Sequence, residues 1–223
     1  MKWALILVEG QTEERFVKDT LGPHLTARDL NVTPTLLTTK VVKSGPNFRG
    51  GVTSFNKFED DLRRLLHGAA KDWLVTTMLD YYRLPADFPG MDTRPHPVDP
   101  FTRVRHVEQA IAGHFKDDRL LPFLALHEFE AWVLSCPITL PNVMAEPEKQ
   151  RRFAGVCGEV QTPEQINERP GHNPAAQIET IFPAYRKALH GPTATHRIGL
   201  QLIRGRCPHF AAWLNRLETF AAL

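Results

Sequence analysis

The chain has 223 residues, 42% of them hydrophobic and 23% charged, with a net charge of +2 at neutral pH. The near-balance of charge excludes a chain that meets nucleic acid over its whole surface. Three cysteines without a CxxC pair exclude a disulfide framework and a structural zinc site. No apolar run reaches the roughly 18–20 residues of a membrane span, and the opening apolar run is too short for a signal peptide, so the expectation is a soluble cytoplasmic protein.

Residues 3–8 (WALILV) read as a continuous apolar strand with both faces covered. The strand stops at Glu9 and Gly10. Thr12 then offers an N-cap, and Glu13 and Glu14 suit the positive end of a helix that carries Phe16, Val17, Leu21 and Leu25 at helical spacing. Residues 32–39 read as a second strand. Residues 44–51 (SGPNFRGG) form a glycine-rich loop without the GK[ST] ending of a nucleotide-binding loop. An amphipathic helix is expected over 54–66, and a buried strand over 73–79 that ends at Asp80.

Residues 84–100 carry five prolines, which exclude helix and central strand and suggest a lid or a mobile insert. A helix over 102–115 follows, then a fourth strand over 120–126 that runs into HEFEAW, the start of a helix. Beyond Pro137 the pattern is helical, with helices expected over 146–160, 174–181, 193–203 and 209–220. The order predicts an α/β fold: a mostly parallel sheet flanked by helices over 1–136, with a helical C-terminal part over 137–223 packing on it.

Three predicted strands thus end in acids: Glu9, Asp80, and Glu128 with Glu130. A parallel sheet brings its carboxyl ends to one edge, where such sheets bind ligands. Gathered carboxylates need a cation or a proton, and an all-oxygen set favours Mg2+ or Mn2+. His127, just before the acid pair, is a candidate proton carrier. The C-terminal stretch is basic: Arg186, Lys187, Arg197, Arg204, Arg206 and Arg216 face one acid, Glu218. Of these, Arg186, Lys187, Arg204 and Arg206 are candidate phosphate contacts, with Lys43 and Arg49 beside the glycine-rich loop as a second element. Tyr81, Tyr82, Tyr185 and Trp132 are candidates for base stacking, although Trp132 reads better as core.

At these residues the sequence resembles the Toprim module of topoisomerases, primases and OLD-type nucleases. VEGQTEERFV resembles its first motif, with Glu9 as the acid. LDYY resembles its Asp-x-Asp only in part, with Asp80 in the first position and Tyr82 in the second. More narrowly, VEGQTEERFV, TTMLDYYRLPADFPG, LHEFEAWVLS, LHGP and RCPHFAAWL resemble the domain-of-unknown-function 4276 family, over nearly the whole chain.

The resemblance implies a Toprim-like fold and a Mg2+- or Mn2+-dependent nuclease. Glu9, Asp80, Glu128 and His127 would be catalytic, and Glu9, Asp80, Glu128 and Glu130 would hold the metal. It also implies a DNA or RNA substrate, and an anti-phage setting beside a separately encoded ATPase. Tyr82 cannot act as a hard ligand at neutral pH. Either Glu128 or Glu130 supplies the missing charge, or Asp87 or Asp92 folds back, or metal chemistry is lost; the strand-end position of LALHEFE favours the glutamates. The rival reading is a non-catalytic, degenerate module that binds a partner ATPase or nucleic acid.

Overall fold

Six consecutive apolar residues are stable as a strand only when both faces are covered. The structure, a computed structural model, describes residues 1–38, 52–82, 84–166 and 172–223. In it β1 (Lys2–Val8) lies between β2 (Leu30–Leu36) and β3 (Leu74–Asp80), parallel to both. Two short parallel pieces, β4 (Leu120–Leu121) and β5 (Leu124–Ala125), pair onward with β3. The order across the sheet is β2-β1-β3-β4, with β5 also on β3.

After β1 comes α1 (Gln11–Phe16), which continues through a π-helical stretch (Val17–Leu21) into α2 (Gly22–Thr26). Next are α3 (Phe55–Gly68) and α4 (Pro100–Phe115). The C-terminal helices are α5 (Glu130–Val133), α6 (Thr139–Val143), α7 (Gln150–Cys157), α8 (Pro174–Ile181), α9 (Lys187–Ile198), α10 (Leu200–Arg206) and α11 (Pro208–Ala222). The chain is therefore α/β, a parallel sheet flanked by helices with a helical C-terminal part. No described helix is long and apolar enough to cross a membrane.

Alternation along β1 divides the core. Ala4, Ile6 and Val8 pack with Phe16, Phe129, Trp132 and Phe210 on one face. Leu5 and Leu7 pack with Phe58, Leu62, Val107 and Ile111 on the other. Each such side chain contributes about 1.5–3 kcal/mol by burial, so β1 and its neighbours form a firm base for the residues at their ends.

Several elements differ from the sequence expectation. β2 is an edge strand: Leu36 is exposed and Pro34, which cannot donate to a ladder, sits within it. The expected strand over 120–126 is split at Pro122 and Phe123. There the Thr77 hydroxyl donates to the Phe123 carbonyl (2.8 Å) and accepts from its amide (2.9 Å). The first helix begins at Gln11 with Gly10 as cap, and Thr12 is buried inside its first turn. The proline-rich segment is neither helix nor strand. It is pinned to the core by buried Leu84, Phe88 and Met91, and Asp87 accepts the Phe55 amide at the start of α3 (2.9 Å).

The helix expected over 193–203 is two helices, broken at Gly199, whose φ of 80° ends α9. α9 also starts earlier, because Pro192 lies inside it. Proline has no N–H, so the Ala188 carbonyl loses its helical donor; Arg15 of α1 donates to it instead (3.1 Å). Gly191 lets the two helices close. A Cβ there would meet the Tyr185 hydroxyl at 3.0 Å and Phe129 Cε1 at 3.3 Å.

Glu164, fully buried, accepts the His209 amide (2.8 Å) and the Phe210 amide (3.0 Å) at the start of α11. Glu164→Ala leaves both donors unpaired and is expected to lower the unfolding free energy by about 2 kcal/mol. Urea denaturation measures this; a loss below about 0.5 kcal/mol would show that α11 does not depend on this cap.

Candidate functional site

The carboxyl ends of β1 and β3 lie side by side, since Val8 pairs with Met78. The next residues are therefore neighbours. Glu9 Oε2 accepts the Asp80 amide at 2.9 Å. Asp80 is turned by two donors: its Oδ1 accepts the Phe129 amide at 2.8 Å and its Oδ2 accepts the Lys187 ammonium at 2.9 Å. Phe129 reaches that position because His127 takes a left-handed turn (φ 69°) after β5, and its carbonyl accepts the Tyr82 amide at 2.7 Å.

That turn also carries Glu130 inward. Glu130 is fully buried. Its Oε1 accepts the Tyr185 hydroxyl at 3.2 Å, and its Oε2 faces Lys187 Nζ at 3.0 Å as an ion pair without a well-directed hydrogen bond. Lys187 opens α9, which the Gly191 contact presses onto α1 and α5. Its ammonium thus stands between Asp80 and Glu130, while 38% of its side chain remains exposed, so the site is at the edge of water.

Glu13 completes the group. It is buried one helical turn after Glu9, and a Cβ on Gly10 would lie 3.5 Å from its Oε2. Its charge is felt at Glu9 and Lys187. The result is four acids, Glu9, Glu13, Asp80 and Glu130, against one ammonium. Burial, then Asp80 and Glu13, push the Glu9 carboxyl up to about 8. Burial and Asp80 push Glu13 up to about 7. Burial raises Glu130 to about 7 against the pull of Lys187. Burial works to lower the Lys187 pKa, yet Asp80, Glu130 and Glu13 hold it well above its ordinary value. The carboxyl shifts come first from burial and then from the crowding of the acids around one lysine.

The other candidates are placed differently. Glu128 points to the start of α8, accepting Asn173 Nδ2 (3.1 and 2.9 Å) and the Ala175 amide (3.0 Å); burial raises its pKa against these bonds. His127 is buried with an unpartnered Nε2. Burial, then the Arg103 charge, lower it to about 4, which keeps it neutral at pH 7. Arg204 is engaged with Glu218 (2.8 Å) and Asn215. Arg186 and Arg206 are exposed, and Arg186 adjoins Lys187. Lys43 and Arg49 lie outside the described residues. Trp132, Tyr81 and Tyr185 are buried in or beside the core and offer no open face for stacking.

Glu13 and Lys187 were the residues whose place the sequence reading missed. By sequence Glu13 is expected to be a helix-dipole partner and Lys187 a phosphate contact; the structure brings both into the cluster. The signal for Glu13 was its four-residue spacing from Glu9, which returns an acid to the strand end after one turn.

An oxygen-only donor set with excess negative charge fits a hard divalent cation in chemistry. As placed, the acids surround Lys187, and among the described residues no three Asp, Glu, His or Cys side chains converge as the ligands of one ion. A family model described as a domain of unknown function (DUF4276) matches residues 8–218. No curated protein and no solved structure matches the chain.

Glu9, Glu13 and Glu130 have folded pKa values above their ordinary value of 4.5. Their contribution to stability is complete below that value and is lost as pH rises through about 7 to about 8. In urea titrations with a chelator present, the unfolding free energy is expected to fall between about pH 5 and about pH 8. The double variant Glu9→Gln/Glu13→Gln should flatten that fall. A wild-type profile that stays level or rises through this window would contradict the crowding of these carboxylates.

Proposed function

For this chain, which belongs to the domain-of-unknown-function 4276 family, we propose a metal-dependent phosphodiester hydrolase acting on DNA or RNA. The observation that carries the reading is the excess of buried acids over cations at the ends of β1 and β3, with the partly exposed Lys187 between them and water. The likeness of VEGQTEERFV and LDYY to Toprim and OLD-type nucleases supports it. Tyr82 departs from that likeness, and the reading requires Glu130 and Glu13 to supply the charge that a second aspartate would bring.

Glu9, Asp80 and Glu130, with Glu13 behind them, would hold Mg2+ or Mn2+. Such an ion supplies a lowered pKa for a bound water and neutralises a phosphate. The protein's own groups do the rest. The amides of Asp80 and Phe129 fix Glu9 and Asp80 in place. Tyr185 orients Glu130. Lys187 and exposed Arg186 offer positive charge to a phosphate arriving from water. A cytoplasmic location and a role in anti-phage defence beside a separate ATPase belong to the same proposal and rest on the resemblance alone.

One observation favours the second reading, a non-catalytic module that binds a partner. Lys187 already neutralises Asp80 and Glu130 from within the chain, as an internal ion pair would in a site without metal.

Calorimetric titration of Mn2+ and Mg2+ separates the two. The intact protein is expected to bind Mn2+, and Glu9→Ala and Asp80→Ala to weaken binding by about tenfold or more and to abolish cleavage of plasmid DNA or RNA. Lys187→Met is expected to retain or tighten Mn2+ binding, since it removes a competing cation, while losing cleavage. Absence of binding and cleavage in the folded wild-type protein, or equal binding by the alanine variants, would overturn the hydrolase and leave the partner-binding module.

A further inference from the structure

The β4 side of the sheet carries a second feature. A cavity of about 580 Å³ opens between α4 and α11, over the chain from Leu120 to Phe123. It shares no lining residue with the carboxylate cluster. This volume falls in the range of small-molecule sites, which pair an apolar wall with a few polar groups.

The inner wall is apolar and fixed. Phe123 and Trp213 stack with centroids 4.4 Å apart and planes 14° from parallel. The Trp213 indole N–H donates to the Thr76 hydroxyl (2.9 Å), so the ring cannot turn without losing a buried bond. Beside them Glu108 accepts from His209 Nε2 (2.9 Å) and from the Leu124 amide (2.9 Å). That pair satisfies itself and leaves no net demand at the wall.

The mouth is different. Arg105 and Arg216 are both exposed there, one from each helix. Among the described residues Arg216 has no hydrogen-bonding or ionic partner, and Arg105 reaches only the Thr102 hydroxyl at 3.4 Å. The acid at this end, Asp99, caps α4 through the Thr102 amide (3.0 Å) and hydroxyl (2.5 Å) and lies within the field of Arg105, so Arg216 is the guanidinium left without a partner among the described residues. An apolar wall under the partnerless Arg216 guanidinium, with Arg105 beside it, has the complement of one kind of ligand.

We propose that this cavity is a binding site for a small amphipathic anion. Its flat apolar body lies against Leu121 and the Phe123–Trp213 wall, and its carboxylate or phosphate meets Arg216 and Arg105. The site stands on its own residues and does not depend on the hydrolase reading.

The test is a fluorescence titration of the full chain with 8-anilinonaphthalene-1-sulfonate, an aromatic monoanion, excited directly and through the tryptophans, of which Trp213 lines the cavity. Saturable binding is expected, with competition by indole-3-acetate or by phenyl phosphate showing whether carboxylate or phosphate is preferred. Ala212 is an exposed lining residue, so Ala212→Trp should fill the cavity and abolish binding. Arg216→Ala and Arg216→Glu alter a partnerless surface side chain and should weaken binding by about tenfold or more while the thermal midpoint stays put. No saturable binding to the wild type, or equal affinity across all three variants, overturns the site. Loss with Ala212→Trp but unchanged affinity in both Arg216 variants overturns its anion selectivity.

Discussion

The Lys187 ammonium, shared between Asp80 and Glu130, is the interaction on which the arrangement at the sheet edge depends. Without a cation, four carboxylates gathered at the ends of two adjacent strands would repel one another or take up protons. The lysine comes from the opposite end of the chain, more than a hundred residues after Asp80. The C-terminal helices therefore contribute chemistry to the site as well as cover to the sheet. Placing that lysine requires the start of α9, and α9 reaches it because Gly191 permits close contact with Tyr185 and Phe129.

The same geometry reconciles rigidity with access. Asp80 and Glu9 are held by backbone amides, which have no rotamer freedom. Glu130 is held by a buried phenol. Lys187 is the member of the cluster with a long, flexible and partly exposed side chain. A site built this way sets fixed, buried acids behind a partly exposed cation.

Much of this was legible in the sequence. The strand-and-acid pattern at Glu9 and Asp80 and the apolar run of β1 marked the sheet and the edge where its acids gather, because parallel strands read as continuous apolar segments and end together. What was not legible depended on contacts remote in sequence. The split of the fourth strand needed the Thr77 hydroxyl to replace a ladder partner. The inward turn of Glu130 and the outward turn of Glu128 were indistinguishable in HEFE until the left-handed His127 separated them. The early start of α9 was hidden by Pro192, a residue that local propensity reads as a break. Of the basic residues, composition could not tell Arg204, spent on Glu218, from Lys187, which stands at the centre of the site.

Pro192 has one more effect. A hydrogen bond that would have spanned four residues inside α9 is replaced by one from Arg15 that spans 173. The number of bonds is kept, but the loop that must close to form this one is far larger. α9 is thus locally incomplete as an isolated element, and its early turns finish their bonding only on a strand–helix unit already in place. Contacts of such high separation raise the contact order of the fold. The bonding of the helix that carries Lys187 is thereby tied to the helix that follows the first strand, so the two ends of the chain complete one another.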